Sequence, residues 1–133
     1  MKQTVKIILK IAAVLLATLV LAGCYNPVTG KYLYTGSLEI NNQFETNTTI
    51  TRVQIYEKDD GTGKPDINSK KILDQTISIS KGGSAVLTDI PAGTWYAYIS
   101  SGTPIIAKNM VLIIYKTTTK VKVDQFGLNP LLN

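Results

Sequence analysis

Alternation is the feature that most limits what this chain can fold into. From residue 36 onward, apolar and polar side chains alternate in short, β-branched runs separated by Gly, Pro, Asn and Asp, and no run carries helical spacing. Strands are expected at 36–42, 48–57, 71–79, 84–90, 94–100, 105–115 and 117–126. A strand presents successive side chains to opposite faces, so each run has one face that must be buried. Seven such strands in about 100 residues bury those faces by packing two sheets together, which makes the expected fold class an all-β, seven-stranded β-sandwich.

The parity of individual runs sharpens this expectation. In 71–79, Leu73, Ile77 and Ile79 share one face and are assigned to the core. In 117–126, Val121 and Val123 alternate with Lys120, Lys122 and Asp124. Ile50 is out of phase with Val53 and Ile55, which predicts a bulge near Thr51–Arg52. The run 110–114 is continuously apolar, so it is expected either to be covered on both faces or to contain a bulge.

The segment Lys81-Gly82-Gly83-Ser84, followed by Asp89-Ile90-Pro91-Ala92-Gly93-Thr94-Trp95-Tyr96-Ala97-Tyr98-Ile99, supplies the turn chemistry. Pro91 presets φ at the first turn position and Gly93 permits φ > 0 where the next strand starts. Over about 20 residues it resembles a pattern of carboxypeptidase-regulatory-like, transthyretin-like and fibronectin-like sandwich modules of bacterial envelope proteins, with Trp95 where the pattern usually has Tyr. The resemblance implies a sandwich corner and no activity. A tight hairpin within one sheet would place Tyr96 and Tyr98 in the core and point Trp95 outward. A corner between sheets, as in an immunoglobulin-like sandwich, would bury Trp95, Ala97 and Ile99 and leave Tyr96 and Tyr98 as an outward stripe. The corner is favoured, because Ala97 and Ile99 make the more apolar face. Tyr96 and Tyr98 are then the candidate binding residues, as Tyr offers rigid amphipathic contact area.

The N-terminus reads as an address. Lys2, Lys6 and Lys10 precede an apolar run over 11–22 that is broken only by Thr18. This is the layout of a secretory signal peptide, and the run is short for a membrane span, which needs about 20 residues. Leu21-Ala22-Gly23-Cys24 resembles the lipobox of bacterial lipoproteins at all four positions. The resemblance implies a diacylglyceryl group on the Cys24 thiol, cleavage between Gly23 and Cys24, and acylation (palmitate or a similar chain) of the new amino group. The expected organisation is a signal peptide at 1–23, a lipidated N-terminus and tether at 24–35, and the sandwich at 36–133. The tether reaches at most ~35–40 Å, and its Tyr25, Tyr32 and Tyr34 are assigned either to the lipid interface or to the domain edge. Tyr25 stands where an aspartate would favour retention in the inner membrane of a Gram-negative cell, so the outer membrane is the favoured location there.

Removal of residues 1–23 from the 133 leaves 110, enough for one domain with a sizeable core. The formal charge of +5 includes three leader lysines, so 11 basic residues face 9 acidic ones in the mature chain, a net +2. No basic stripe suited to nucleic acid is present. With no histidine, and with its one cysteine assigned to the lipid, the chain offers no His-dependent triad, no free thiol and no disulfide. No catalytic residue and no cofactor are assigned. The loop Asp59-Asp60-Gly61-Thr62-Gly63-Lys64-Pro65-Asp66 is the metal candidate: Asp59, Asp60 and Asp66 carry oxygens that calcium favours, although the EF-hand spacing and its closing Glu are missing. Gly61-Thr62-Gly63-Lys64 lacks the full phosphate-loop frame. The expected function is therefore a lipid-anchored envelope lipoprotein that presents a non-catalytic binding or scaffolding sandwich, with a carbohydrate-binding or adhesin-like module as the alternative. Its expected partners are the membrane, through the anchor, and an envelope protein or glycan.

Overall fold

The computed structural model describes residues 25–26 and 31–131, and every regular element among them is a strand. Residues 1–24, with Gly23 and Cys24 of the expected cleavage and lipidation site, lie outside the described residues. Ten strands follow in chain order: β1 Tyr25–Asn26, β2 Lys31–Tyr32, β3 Thr35–Asn42, β4 Ile50–Tyr56, β5 Lys71–Ile79, β6 Ser84–Pro91, β7 Gly93–Ser100, β8 Ile105–Ile113, β9 Thr118–Asp124 and β10 Gly127–Pro130. They form two four-stranded sheets, β10-β9-β3-β6 and β5-β4-β7-β8, beside the small β1-β2 pair. All pairings are antiparallel except β3 with β9.

The core is the apolar parity of each run meeting its counterpart in the other sheet. Leu38, Ile40, Leu87, Ile90, Val121, Val123 and Leu128 face Ile50, Val53, Ile55, Ile79, Trp95, Ala97, Ile99, Val111 and Ile113. Leu73 and Ile77 pack against this cluster partly buried. The register of β4 against β5 shifts between Ile50 and Arg52, the bulge that brings Ile50 into phase with Val53 and Ile55. Asn42 is fully buried at the end of β3 and ties the sheets together. Its Nδ2 donates to the carbonyls of Thr48 at 2.7 Å and Ile79 at 2.9 Å, and its Oδ1 accepts from the Phe44 N–H at 3.3 Å.

The turn after β6 is the corner. β6 belongs to one sheet and β7 to the other. Gly93 takes φ 149°, and a Cβ there would lie 2.9 Å from the Trp95 ring. The indole folds back over the turn, and its Nε1–H donates to the Pro91 carbonyl at 2.7 Å. Trp95, Ala97 and Ile99 are buried as the corner requires.

Two expectations change. The run 110–114 is neither covered on both faces nor bulged: pairing runs unbroken from Gly93↔Ile113 to Ile99↔Ala107. Val111 and Ile113 go inward, while Met110, Leu112 and Ile114 are 51%, 54% and 49% exposed. The run is thus an ordinary half-buried strand with an apolar outer face. The C-terminal segment turns tightly after Asp124 and adds β10, an eighth sandwich strand; Pro130 is tolerated because β10 is an edge. The last residues of the expected tether are held on the domain. Tyr34 stacks edge-on with Tyr115 at 5.2 Å, its carbonyl accepts from the Ala92 N–H, and Thr35 already belongs to β3.

Truncating the indole should remove both the packing and the hydrogen bond that hold the corner. Trp95→Ala is expected to cost about 3–5 kcal/mol. Trp95→Phe should cost less, since only the bond to Pro91 and part of the ring volume are lost. Urea denaturation checks this through the midpoint at unchanged slope, and a Trp95→Ala loss below about 1 kcal/mol contradicts the packing described.

Candidate binding groove

The outer face of the β5-β4-β7-β8 sheet carries a groove of about 1160 Å³. Strand alternation sends Arg52, Gln54 and Tyr56 of β4 and Tyr96, Tyr98 and Ser100 of β7 to this face, and Tyr98 lies between Gln54 and Lys108 in register. The loop 57–70, between β4 and β5, folds across the middle of the face. It closes as a lobe, with Glu57 N–H donating to Lys70 O, Asp66 N–H to Lys58 O and Asp60 N–H to Lys64 O. The open part of the groove lies between this lobe and the β7–β8 turn, with Arg52, Gln54 and Ser100 at its floor and Lys64, Ile67, Pro104, Ile105 and Lys108 along its sides.

Asp59 fixes the lobe to the sheet. Its Oδ2 accepts the Tyr98 hydroxyl at 2.8 Å, with Lys108 Nζ 3.6 Å away, and its Oδ1 accepts the N–H groups of Gly61 at 2.8 Å and Gly63 at 3.4 Å. The Tyr98 hydroxyl bond, followed by the backbone donors and Lys108, holds the Asp59 carboxyl below its ordinary range. Burial, reinforced by the Asp59 charge, pushes the Tyr98 hydroxyl above its ordinary value, so it stays protonated and donates. Asp60 serves its own turn: its Oδ1 accepts the Thr62 N–H and hydroxyl, both at 2.7 Å, and the Lys64 N–H at 3.2 Å, which holds its carboxyl low. Asp66 accepts the Asn68 N–H at 2.9 Å.

Two assigned sites therefore change. Asp59, Asp60 and Asp66 are not brought together as ligands; no cluster of three metal-ligating residues exists among the described residues. Each carboxylate is turned onto donors of its own loop, apart from the Asp59–Tyr98 bond. The calcium assignment gives way to a structural lobe. The tyrosine stripe also fails as an exposed patch. Tyr98 does point away from the core, but the lobe covers it and its exposure is 0%. Tyr96 is half-buried on the same face.

Nothing in the alternation pattern announces the groove's charged floor. Arg52 binds Asp74 of β5 through Nε at 2.8 Å and Nη2 at 2.6 Å, a two-pronged pair. These residues are 22 apart and meet only through strand register, in which Gln54 lies opposite Asp74 and Arg52 opposite Thr76. The pair holds the Asp74 carboxyl low and the guanidinium high. Ile67, at the lip, is 83% exposed.

No protein-family model matches the chain, and no curated protein matches it significantly. Among solved structures, the chain is similar to that of GBS52, the minor pilin of the Gram-positive pathogen Streptococcus agalactiae, at 16% identity and a TM-score of 0.43. The match covers 75% of this chain and 46% of that one, so this chain spans about half the pilin's length.

The lobe's attachment makes two measurable demands. Tyr98→Ala is expected to cost about 3–5 kcal/mol, as for any buried aromatic truncation, in contrast to an exposed tyrosine. The Asp59 carboxyl titrates lower folded than unfolded, so it favours folding above its unfolded pKa of about 3.9 and loses that contribution as pH falls through its folded value. Asp60 and Asp74 act in the same sense. Asp59→Asn should thus be less stable than wild type at neutral pH, and the gap should narrow below about pH 4. Parallel curves across that range in thermal melts contradict the assignment.

Proposed function

We propose that this chain is a lipid-anchored envelope lipoprotein whose sandwich presents a non-catalytic binding surface to another polypeptide. The observation that carries the binding half is the groove on the outer face of the β5-β4-β7-β8 sheet. It is preformed, because the lobe that walls it is hydrogen-bonded to the sheet through Asp59 and Tyr98. Its lining mixes cations (Arg52, Lys64, Lys108) with apolar groups (exposed Ile67 and Pro104, half-buried Ile105), a surface suited to an extended segment carrying acidic and apolar side chains. The anchoring half rests on Lys2, Lys6, Lys10, the apolar run and Leu21-Ala22-Gly23-Cys24. In a Gram-negative cell, Tyr25 after the cysteine favours the outer membrane.

The glycan-binding alternative is less well supported. Sugar rings pack their C–H faces on exposed aromatic rings, and the aromatic lining residue, Tyr56, is buried. No group in the groove is placed as a nucleophile or as a general acid–base pair; its acids, Asp60 and Asp66, are engaged by Thr62 and Asn68.

Intact-mass spectrometry of the membrane fraction tests the anchor: the mature chain is expected to begin at Cys24 and carry acyl chains, and an unmodified Cys24 overturns that half. A photo-crosslinking residue at position 67 in living cells tests the groove. It should form a discrete protein adduct that Arg52→Glu abolishes and that the same residue at position 86, on β6, does not form. Equal adducts at both positions, or indifference to Arg52→Glu, would sink the binding half. Retention on a glycan array, lost in Arg52→Glu, would instead support the sugar reading.

A further inference from the structure

We propose that the apolar rim at the end of β8, Met110, Leu112, Ile114 and Tyr115 with neighbouring Leu33, lies in the headgroup interface of the lipid bilayer. The inference rests on the anchored reading above and goes beyond it, because it assigns a protein surface to the membrane.

The rim is where apolar exposure concentrates. Five of the eight exposed large hydrophobic residues among those described belong to it: Leu33, Met110, Leu112, Ile114 and Tyr115. It is also where the N-terminal segment reaches the domain. Tyr34 stacks on Tyr115, the Lys116 N–H donates to the Thr35 carbonyl, and Gly36 packs so closely on the Ile114 carbonyl that a Cβ there would clash with it. Tyr25 pairs with Tyr32, and this strand pair sits beside β6, with Lys70 Nζ 4.7 Å from the Tyr32 ring centroid; two residues on, Tyr34 brings the chain to Tyr115. Successive Cα atoms are about 3.8 Å apart, so acyl chains on Cys24 would enter the bilayer close to the strand pair that leads into Tyr34.

The hydrogen-bonding state of the β8 edge decides between lipid and protein as occupant. An added strand would need free backbone groups along that edge. Two are already taken: the Met110 N–H donates to the Asn109 side chain at 2.8 Å, and the Leu112 carbonyl accepts the Thr119 hydroxyl at 2.6 Å. Asn109 Nδ2 in turn donates to the Leu128 carbonyl of β10 at 2.8 Å. With these two groups engaged, the apolar surface is poorly placed to take an added strand and suits the apolar side of the headgroup interface. The flanking groups fit an interface too. Lys116 Nζ sits 5.2 Å from the Tyr115 ring centroid, an aromatic–cation pair that can rest at headgroup level with its ammonium toward phosphate. Asp89 shares a small cavity with Lys116.

The test uses the mature acylated protein in phosphatidylethanolamine–phosphatidylglycerol nanodiscs containing a headgroup-spin-labelled lipid. Methyl NMR relaxation should be enhanced several-fold at Met110, Leu112 and Ile114 relative to Ile67 on the groove lip. In Leu112→Ser/Ile114→Ser the enhancement at Met110 and Leu33 should fall, while the intact mass and flotation with vesicles stay unchanged, because Cys24 still holds the chain. If mass spectrometry finds Cys24 unmodified, the anchoring reading fails on its own. The protein is then coupled through that thiol, its sole cysteine, to a maleimide lipid in the same nanodisc, and the same relaxation measurement decides the rim. Equal relaxation at the rim and at Ile67 overturns the proposal. So does concentration-dependent dimerisation that Leu112→Ser/Ile114→Ser abolishes, since a second copy would then cover the rim.

Discussion

The register of β7 at the corner governs the rest of the molecule. Strand side chains alternate, so a shift of one residue would exchange Trp95, Ala97 and Ile99 for Tyr96, Tyr98 and Ser100 in the core. The turn fixes that choice locally. Trp95 can lie over Pro91-Ala92-Gly93 only because residue 93 has no Cβ, and its indole N–H then satisfies the Pro91 carbonyl. Through the pairings of β7, the same parity sets the faces of β4 and β8: Val53, Ile55 and Val111 go in, and Arg52, Gln54, Met110 and Leu112 go out. The core, the groove floor and the apolar rim all follow from one strand's phase.

That phase creates a difficulty which the β4–β5 loop resolves. It sends a tyrosine outward at the centre of a sheet, where the ring seeks cover and the hydroxyl seeks a partner. A loop of apolar residues would cover the ring and strand the hydroxyl, since a buried polar group without a partner costs about 1–3 kcal/mol. Asp59 provides the acceptor, while its second oxygen organises the loop backbone around Gly61 and Gly63. The acid-rich composition that suggests a metal loop is explained by the loop's own unpaired N–H groups. Asp60 and Asp66 each satisfy local donors, and no buried side-chain polar atom among the described residues is left without a hydrogen bond.

The architecture was largely legible because it depends on period and turn chemistry, which are local. The strand at 71–79 begins and ends where alternation placed it, the bulge near Arg52 followed from the phase of Ile50, and Val121 and Val123 are buried. Strand β10 escaped because Gly127-Leu128-Asn129-Pro130 has one core residue and a proline, too little pattern to register as a strand. The site was less legible because it depends on residues far apart in sequence. Asp59 and Tyr98 are 39 positions apart and Arg52 and Asp74 are 22 apart, and each pair meets only after the sheet has formed. The inward or outward sense of Tyr98 could be read from its neighbours, but its cover could not, because nothing in 57–70 announces where that loop will lie. The reading of 110–114 failed for a related reason: a continuous apolar run is equally compatible with a buried strand and with one whose outer face stays open.

One outer face thus holds three environments in succession. At the β7–β8 turn it is open and charged, in the middle it is sealed by the chain's own loop, and toward Ile114 it is apolar and bare. Six residue steps lead from Lys108 at the groove to Ile114, just past the end of β8 at the rim, about 20 Å along an extended chain. The N-terminal segment joins the domain at the bare end, where Tyr34 meets Tyr115. A chain held to lipid from that end would turn its apolar rim toward the bilayer and hold the groove away from it. Joined at the opposite end, the same sandwich would press Arg52, Lys64 and Lys108 against the headgroups and leave Leu112 and Ile114 in water. Burial of the apolar rim and solvation of the charged groove would therefore favour the same orientation, the one that a lipid anchor at that end would impose.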